Sequence, residues 1–137
     1  MPPPSLERIL CVYGRQQLML LRHCPERVYR GQKAGHADCR LCESGIGLNG
    51  QYLTDRKGVL LPLIPYRTDD GCVVRLYSAK PLSLLRYMPD LRELPLSFLL
   101  SFTDEPTEKR LRILKAFKNG SPCEIDGTVG KYLTGVI

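Results

Sequence analysis

Four cysteines constrain this chain more than any other feature. Cys24, Cys39, Cys42 and Cys72 follow the spacing C-x14-C-x2-C-x29-C, each close to loop-forming Gly, Pro, Asp or Ser. Four thiols so placed are what a chain uses to wrap one soft metal centre. The Cys39-x2-Cys42 knuckle lets both sulfurs reach a single centre. Alone, such a pair also serves dithiol redox chemistry. The two further loop cysteines complete the set of four that a structural zinc or an iron–sulfur cube requires. His23 and His36 are available as zinc ligands in place of a thiol, although each taken singly reads as an ordinary hydrogen-bonding residue. Spacing alone favours zinc and leaves iron–sulfur open, because the two geometries overlap.

Residues 25–49 show no sustained hydrophobic period and are punctuated by Gly31, Gly35, Gly45 and Gly47. A structureless connection of that length is unusual in a compact domain. Cysteines at both ends suggest that a metal supplies the missing core. The chain of 137 residues, 43% hydrophobic and 25% charged, fits one ordinary globular domain spanning 1–137, with residues 1–5 as a disordered leader. It has no uninterrupted apolar run of membrane-spanning length and no secretory leader pattern, so a cytoplasmic chain with reduced thiols is expected. The net charge of +6 is scattered and includes no block of five like charges. That pattern describes a mildly basic surface more than a nucleic-acid footprint.

The remaining elements follow from pattern. Residues 8–13 read as a buried strand ended by Gly14, with Cys11 as a small core hydrophobe. Residues 16–21 suit a strand or a helical turn. Residues 51–54 and 59–64 read as a β-hairpin with Gly58 at positive φ, and Pro62 makes the second arm an edge or interrupted strand. A turn over 66–71 leads to a strand over 72–77. A short helix is expected from 78–81 onward, with Leu82, Leu85 and Met88 on one face and Pro89 as its stop. Residues 96–102 predict a strand covered on both faces. A helix then follows, capped by Thr103 or Asp104, with Glu105 and Pro106 in its opening, Leu111, Ile113, Leu114 and Phe117 facing the core, and Gly120 at its end. Strand–helix–strand–helix is the grammar of a parallel α/β fold. Two such units cannot close a barrel, so the chain reads as the end of a larger domain.

Catalytic motifs are thin. Cys24 beside His23 is a poor nucleophile–base pair, since adjacent side chains rarely face each other. Asp55, Asp69, Asp70 and Asp104 sit in turns or caps, where carboxylates are normally structural. Neither a phosphate loop, a dinucleotide fingerprint nor a G-x-S-x-G elbow is present. No catalytic residue is assigned.

Read in order, Val12-Tyr13-Gly14-Arg15-x2-Leu18-Met19, Arg22-His23-Cys24-Pro25, Cys39-x2-Cys42, Tyr52-Leu53-Thr54-Asp55-Arg56-Lys57-Gly58, Cys72 and Ser78-Ala79-Lys80-Pro81-Leu82 form a specific combination. It resembles the C-terminal part of the collagenase-like peptidase family of unassigned catalytic type, peptidase family U-thirty-two. The ending Gly130-Lys131-Tyr132-Leu133-Thr134-Gly135-Val136 is similar to that family's tail. The resemblance implies a (β/α)8-barrel parent of which this chain is the closing portion, carrying a β-hairpin and a cysteine-rich metal loop. It implies either collagenase-like proteolysis or, as in several members, oxygen-independent hydroxylation of RNA or a ubiquinone precursor, with a [4Fe–4S] cluster. Carried over by motif, the ligands are Cys24, Cys39, Cys42 and Cys72. Some branches place a cluster cysteine where this chain has Gln17. The upstream barrel half is missing, so the expected partner is that half or another chain, with RNA or a small aromatic molecule as substrate. The isolated chain is not expected to act alone. A zinc-stapled nucleic-acid-binding module is the alternative.

Overall fold

The computed structural model describes residues 7–31, 39, 51–69, 71–130 and 132–133. Its contacts divide the chain into two compact units. One joins Met1–Arg15 to Lys80–Ile137, and the other is the segment between them, Gln16–Ala79.

The first unit rests on strand β1 (Ile9–Gly14), built from the apolar run that the pattern predicts. In the other unit, the Gln17–Leu21 run is resolved as a strand, β2. Within the first unit, Leu82–Ser83 (β6) pairs antiparallel with the end of β1, while Ser97–Ser101 (β7) runs parallel along it, giving the order β6-β1-β7. A Cβ on Gly14 would lie 2.9 Å from Ser101 Cβ and its carbonyl oxygen, so the close approach of β1 to β7 there requires glycine.

Val12, Tyr13, Leu84, Leu85, Met88, Leu91 and Ile113 form this unit's core. The helix expected from 78–81 onward is not formed. Residues 82–83 are instead captured as strand by β1 and by a parallel bridge from Leu82 to Thr128 in the tail. The chain then makes a 3-10 turn (Leu85–Tyr87) and one helical turn, Met88–Leu91. Pro89 opens that helical turn rather than stopping a helix, because a first-turn residue needs no amide hydrogen. Leu85 and Met88 are buried as expected.

The long helix Thr107–Asn119 ends on Gly120 in the left-handed conformation, as its sequence predicts. Its N-cap is Pro106, not Thr103 or Asp104. Asp104 accepts from Arg15 Nε at 2.9 Å, and Glu105 is drawn inside. Only Ile113 of the expected stripe is fully buried. Leu111 and Leu114 remain 50% and 43% exposed. Strand β7, expected to be covered on both faces, leaves Leu99 48% exposed.

The second unit is an antiparallel sheet. The hairpin is formed by Tyr52–Thr54 (β3) and Leu60–Thr68 (β4), and β4 pairs onward with Gly71–Tyr77 (β5), whose far side takes β2. Gly58 has φ 79°, and Asp55 Oδ1 accepts from the amides of Lys57 and Val59, so the turn is an Asx turn closed by glycine. Strand β4 runs through the segment expected as a turn, reaching Thr68, and it is an interior strand despite Pro62. The ladder explains this. Pro62 directs its nitrogen toward β5 but lies one residue past the last pair, Leu63↔Leu76. Pro65 directs its nitrogen toward the β3 side, past Gln51, whose carbonyl accepts the Leu63 amide at 3.1 Å. Neither proline costs a β4–β5 hydrogen bond.

The architecture is mixed α/β with open sheets, and no closed barrel is present among the described residues. No helix among them is long and apolar enough to cross a membrane.

Candidate metal centre

Cys24 follows β2 and is the N-cap residue of the short helix Pro25–Tyr29, with Pro25 in the first turn. It is 8% exposed and packs with Leu63, Val74 and Leu76, and with Leu21 and Leu61 at the margin. Side chains alternate along a strand, so Cys72 shares a face of β5 with Val74 and Leu76. That is the face covered by Cys24. The sheet therefore places two of the four expected ligands on one side. Arg67 stands directly opposite Cys72 in register.

The short helix is pinned by a buried carboxylate, Glu26, that no motif in the sequence marks. Glu26 accepts from Gln51 Nε2 at 2.9 Å and from Arg30 Nε. The hydrogen bond from Gln51, then that from Arg30, holds its carboxyl below the usual range. Gln51 also anchors β4 through its carbonyl, so Glu26 ties the helix after Cys24 to the start of the hairpin. Those are the two ends of the stretch that carries Cys39 and Cys42. The available signal was a Glu two residues after the cysteine with Arg four residues on; its partner Gln51 is invisible to local pattern.

Cys39 is partly buried. Cys42 and His36 lie outside the described residues, and His23 is exposed. Among the described residues no group of three or more His, Cys, Asp or Glu side chains converges. The two other cysteines belong to the first unit. Cys11 is a strand residue whose thiol donates to Tyr13 O at 3.4 Å, and burial pushes its pKa up. Cys123 lies in the tail.

The opposite face of the sheet carries different chemistry. Tyr66 and Tyr77 hydroxyls lie 3.2 Å apart, and the Arg75 guanidinium stacks 4.1 Å from the Tyr66 ring centre. The hydrogen bond to Tyr77 and then burial push the Tyr66 pKa up. In the first unit, the carboxyl ends of the parallel strands carry a second polar group, in which Glu105 is an interior acceptor and not the helix-opening acid that its position suggests. Tyr13 Oη donates to Glu105 Oε1 at 2.9 Å, Glu105 Oε2 accepts the Thr103 amide at 2.7 Å, and Glu105 is 4% exposed.

No family model, no curated protein and no solved structure matches this chain.

Proposed function

We propose that this chain is the cluster-binding, C-terminal part of an iron–sulfur protein of the collagenase-like peptidase type, acting in oxygen-independent hydroxylation of RNA or a quinone precursor. Cys24, Cys39, Cys42 and Cys72 hold a [4Fe–4S] cluster. The observation that carries the reading is that Cys24 packs on the sheet face to which Cys72 belongs, with Glu26 fastening both ends of the stretch that holds the other two thiols. The donor set fits a soft centre: Cys24 lies against an apolar wall of Leu61, Leu63, Val74 and Leu76, which keeps water from its sulfur. When bound, the cluster supplies one-electron chemistry. The chain's own part is to orient the four sulfurs and exclude solvent, with Arg67 opposite Cys72 to offset negative charge.

A barrel parent is supported by the first sheet. Strands β1 and β7 are parallel, β6 covers only Tyr13 and Gly14 of β1, and β7 is an edge strand. Parallel strands are normally buried on both faces, yet Ile9 and Leu99 are exposed on the side away from the core, as are Leu111 and Leu114 on the long helix. These are the surfaces that further strands and helices of a barrel would cover.

Anaerobic purification followed by iron and acid-labile sulfide analysis tests the reading. Iron and sulfide in equal amounts, lost together in Cys24→Ser and Cys72→Ser, are expected. One zinc per chain with no sulfide would replace the cluster by a structural zinc, and a metal-free folded chain would end both.

A further inference from the structure

A cleft of about 370 Å³ opens in the first unit between the 3-10 turn and the tail, lined by Ser83, Arg86, Cys123, Glu124 and Asp126 among others. Its floor is apolar, because Cys123, Ile125 and Val129 pack against the hydrophobic core. Its wall is fixed. Thr128 N donates to Pro81 O and Ser83 N to Thr128 O, both at 2.8 Å, and a Cβ on Gly127 would lie 2.7 Å from Pro81 O. The tail therefore lies against β6 with no room to settle further, and the cleft is preformed.

The charges in this cleft are unevenly matched. Asp126 accepts from Lys80 Nζ at 3.0 Å and so has a cationic partner. Arg86 and Glu124 are not. Neither makes an ion pair or hydrogen bond among the described residues, and the Arg86 guanidinium has only the Tyr87 ring, at 5.4 Å. One cation and one anion thus face a common space without meeting each other. A polyanion is disfavoured there by the two carboxylates, and a simple cation by Arg86. A molecule carrying both charges satisfies both walls, and the apolar floor accepts an aliphatic side chain. The volume matches a small ligand, at the low end of ordinary pockets.

We propose that this cleft binds a small zwitterion, an amino acid or dipeptide, with its carboxylate on Arg86 and its ammonium group on Glu124. The site is separate from the cysteine set and does not depend on it.

The test is calorimetric titration of the full chain with leucine and Gly-Leu, against N-acetyl-leucine and leucinamide, which each lack one charge. Saturable binding of either zwitterion, with both single-charge analogues about tenfold weaker, is expected, since each lost charge-assisted contact is worth about 1.5 kcal/mol or more. Arg86→Gln should weaken leucine and leave leucinamide unchanged. Glu124→Gln should weaken leucine and leave N-acetyl-leucine unchanged. Both changes are on the surface and leave the core untouched. Alkylation of Cys123, followed by mass spectrometry, should slow when leucine saturates the site. Absence of saturable zwitterion binding in the millimolar range, or variants that leave all four probes unchanged, would overturn the assignment.

Discussion

In the unit built on β1, seven buried residues from both sequence segments pack together, and ten partly buried apolar neighbours close over them. In the unit built on β4 and β5 the buried cluster is Cys24, Leu63, Val74 and Leu76, with only Leu21 and Leu61 beside it. The first unit can be held by hydrophobic burial alone. The second has a core in which one of the four central members is a thiol. Small cores of this kind ordinarily need a staple. The comparison assigns different sources of stability to two parts of one chain, and it can be broken experimentally.

If the proposed metal centre is present, the largest effect should come from its removal. Binding free energy at a structural metal site is folding free energy, on the order of 10 kcal/mol for zinc-stapled peptides. Chelation followed by limited proteolysis should therefore concentrate cleavage within residues 16–79 and leave the helix Thr107–Asn119 protected. Uniform cleavage would erase the distinction between the units.

The second effect runs the other way. Leu85 is fully buried in the first core, and Leu85→Ala should cost about 2–5 kcal/mol in that unit. Hydrogen exchange should register the loss at β1 and β7 and not at β4 and β5. Equal loss in both would mean that the chain unfolds as one block.

Smaller still, and pH-dependent, is Tyr13→Phe. Burial, then the hydrogen bond to Glu105, raises the folded-state pKa of Tyr13. The stability that this shift contributes is fully present below the unfolded tyrosine value of about 10 and is lost as pH rises from there through the folded value. The variant should cost about 1–3 kcal/mol at neutral pH, because Glu105 keeps its burial and loses a donor, and it should flatten the alkaline decline in a pH series of denaturant melts. An unchanged alkaline limb would place that decline elsewhere.

Local rules account for much of what the sequence made legible. The Asx turn at Asp55–Gly58 and the Gly120 helix stop each depend on residues within one or two turns of one another. Features set by distant partners were not legible. Residues 82–83 are strand because β1 and Thr128 claim their backbone groups, and Pro89 changes meaning once they do. Glu105 looks like a helix-opening acid until Tyr13 takes it inside. Of the candidate site, the four thiols could be named from spacing, but the shared face of Cys24 and Cys72 depends on strand register, and the Glu26–Gln51 link on a contact 25 residues apart.

The two ends of the Gln16–Ala79 unit are stitched together: Ser78 N donates to Gln16 O at 2.8 Å, and Gln16 N to Ser78 Oγ at 3.0 Å. While that seam holds, Arg15 and Lys80 are joined by what amounts to a very short tether. If the seam opens with its unit, the tether becomes a floppy chain of roughly 60 residues, about five doublings in length, and closing it costs the first unit about 3 kcal/mol of loop entropy. If the proposed centre holds its unit together, its loss would lower the thermal stability of the other unit through chain connectivity, with no requirement that a single side chain carry the message.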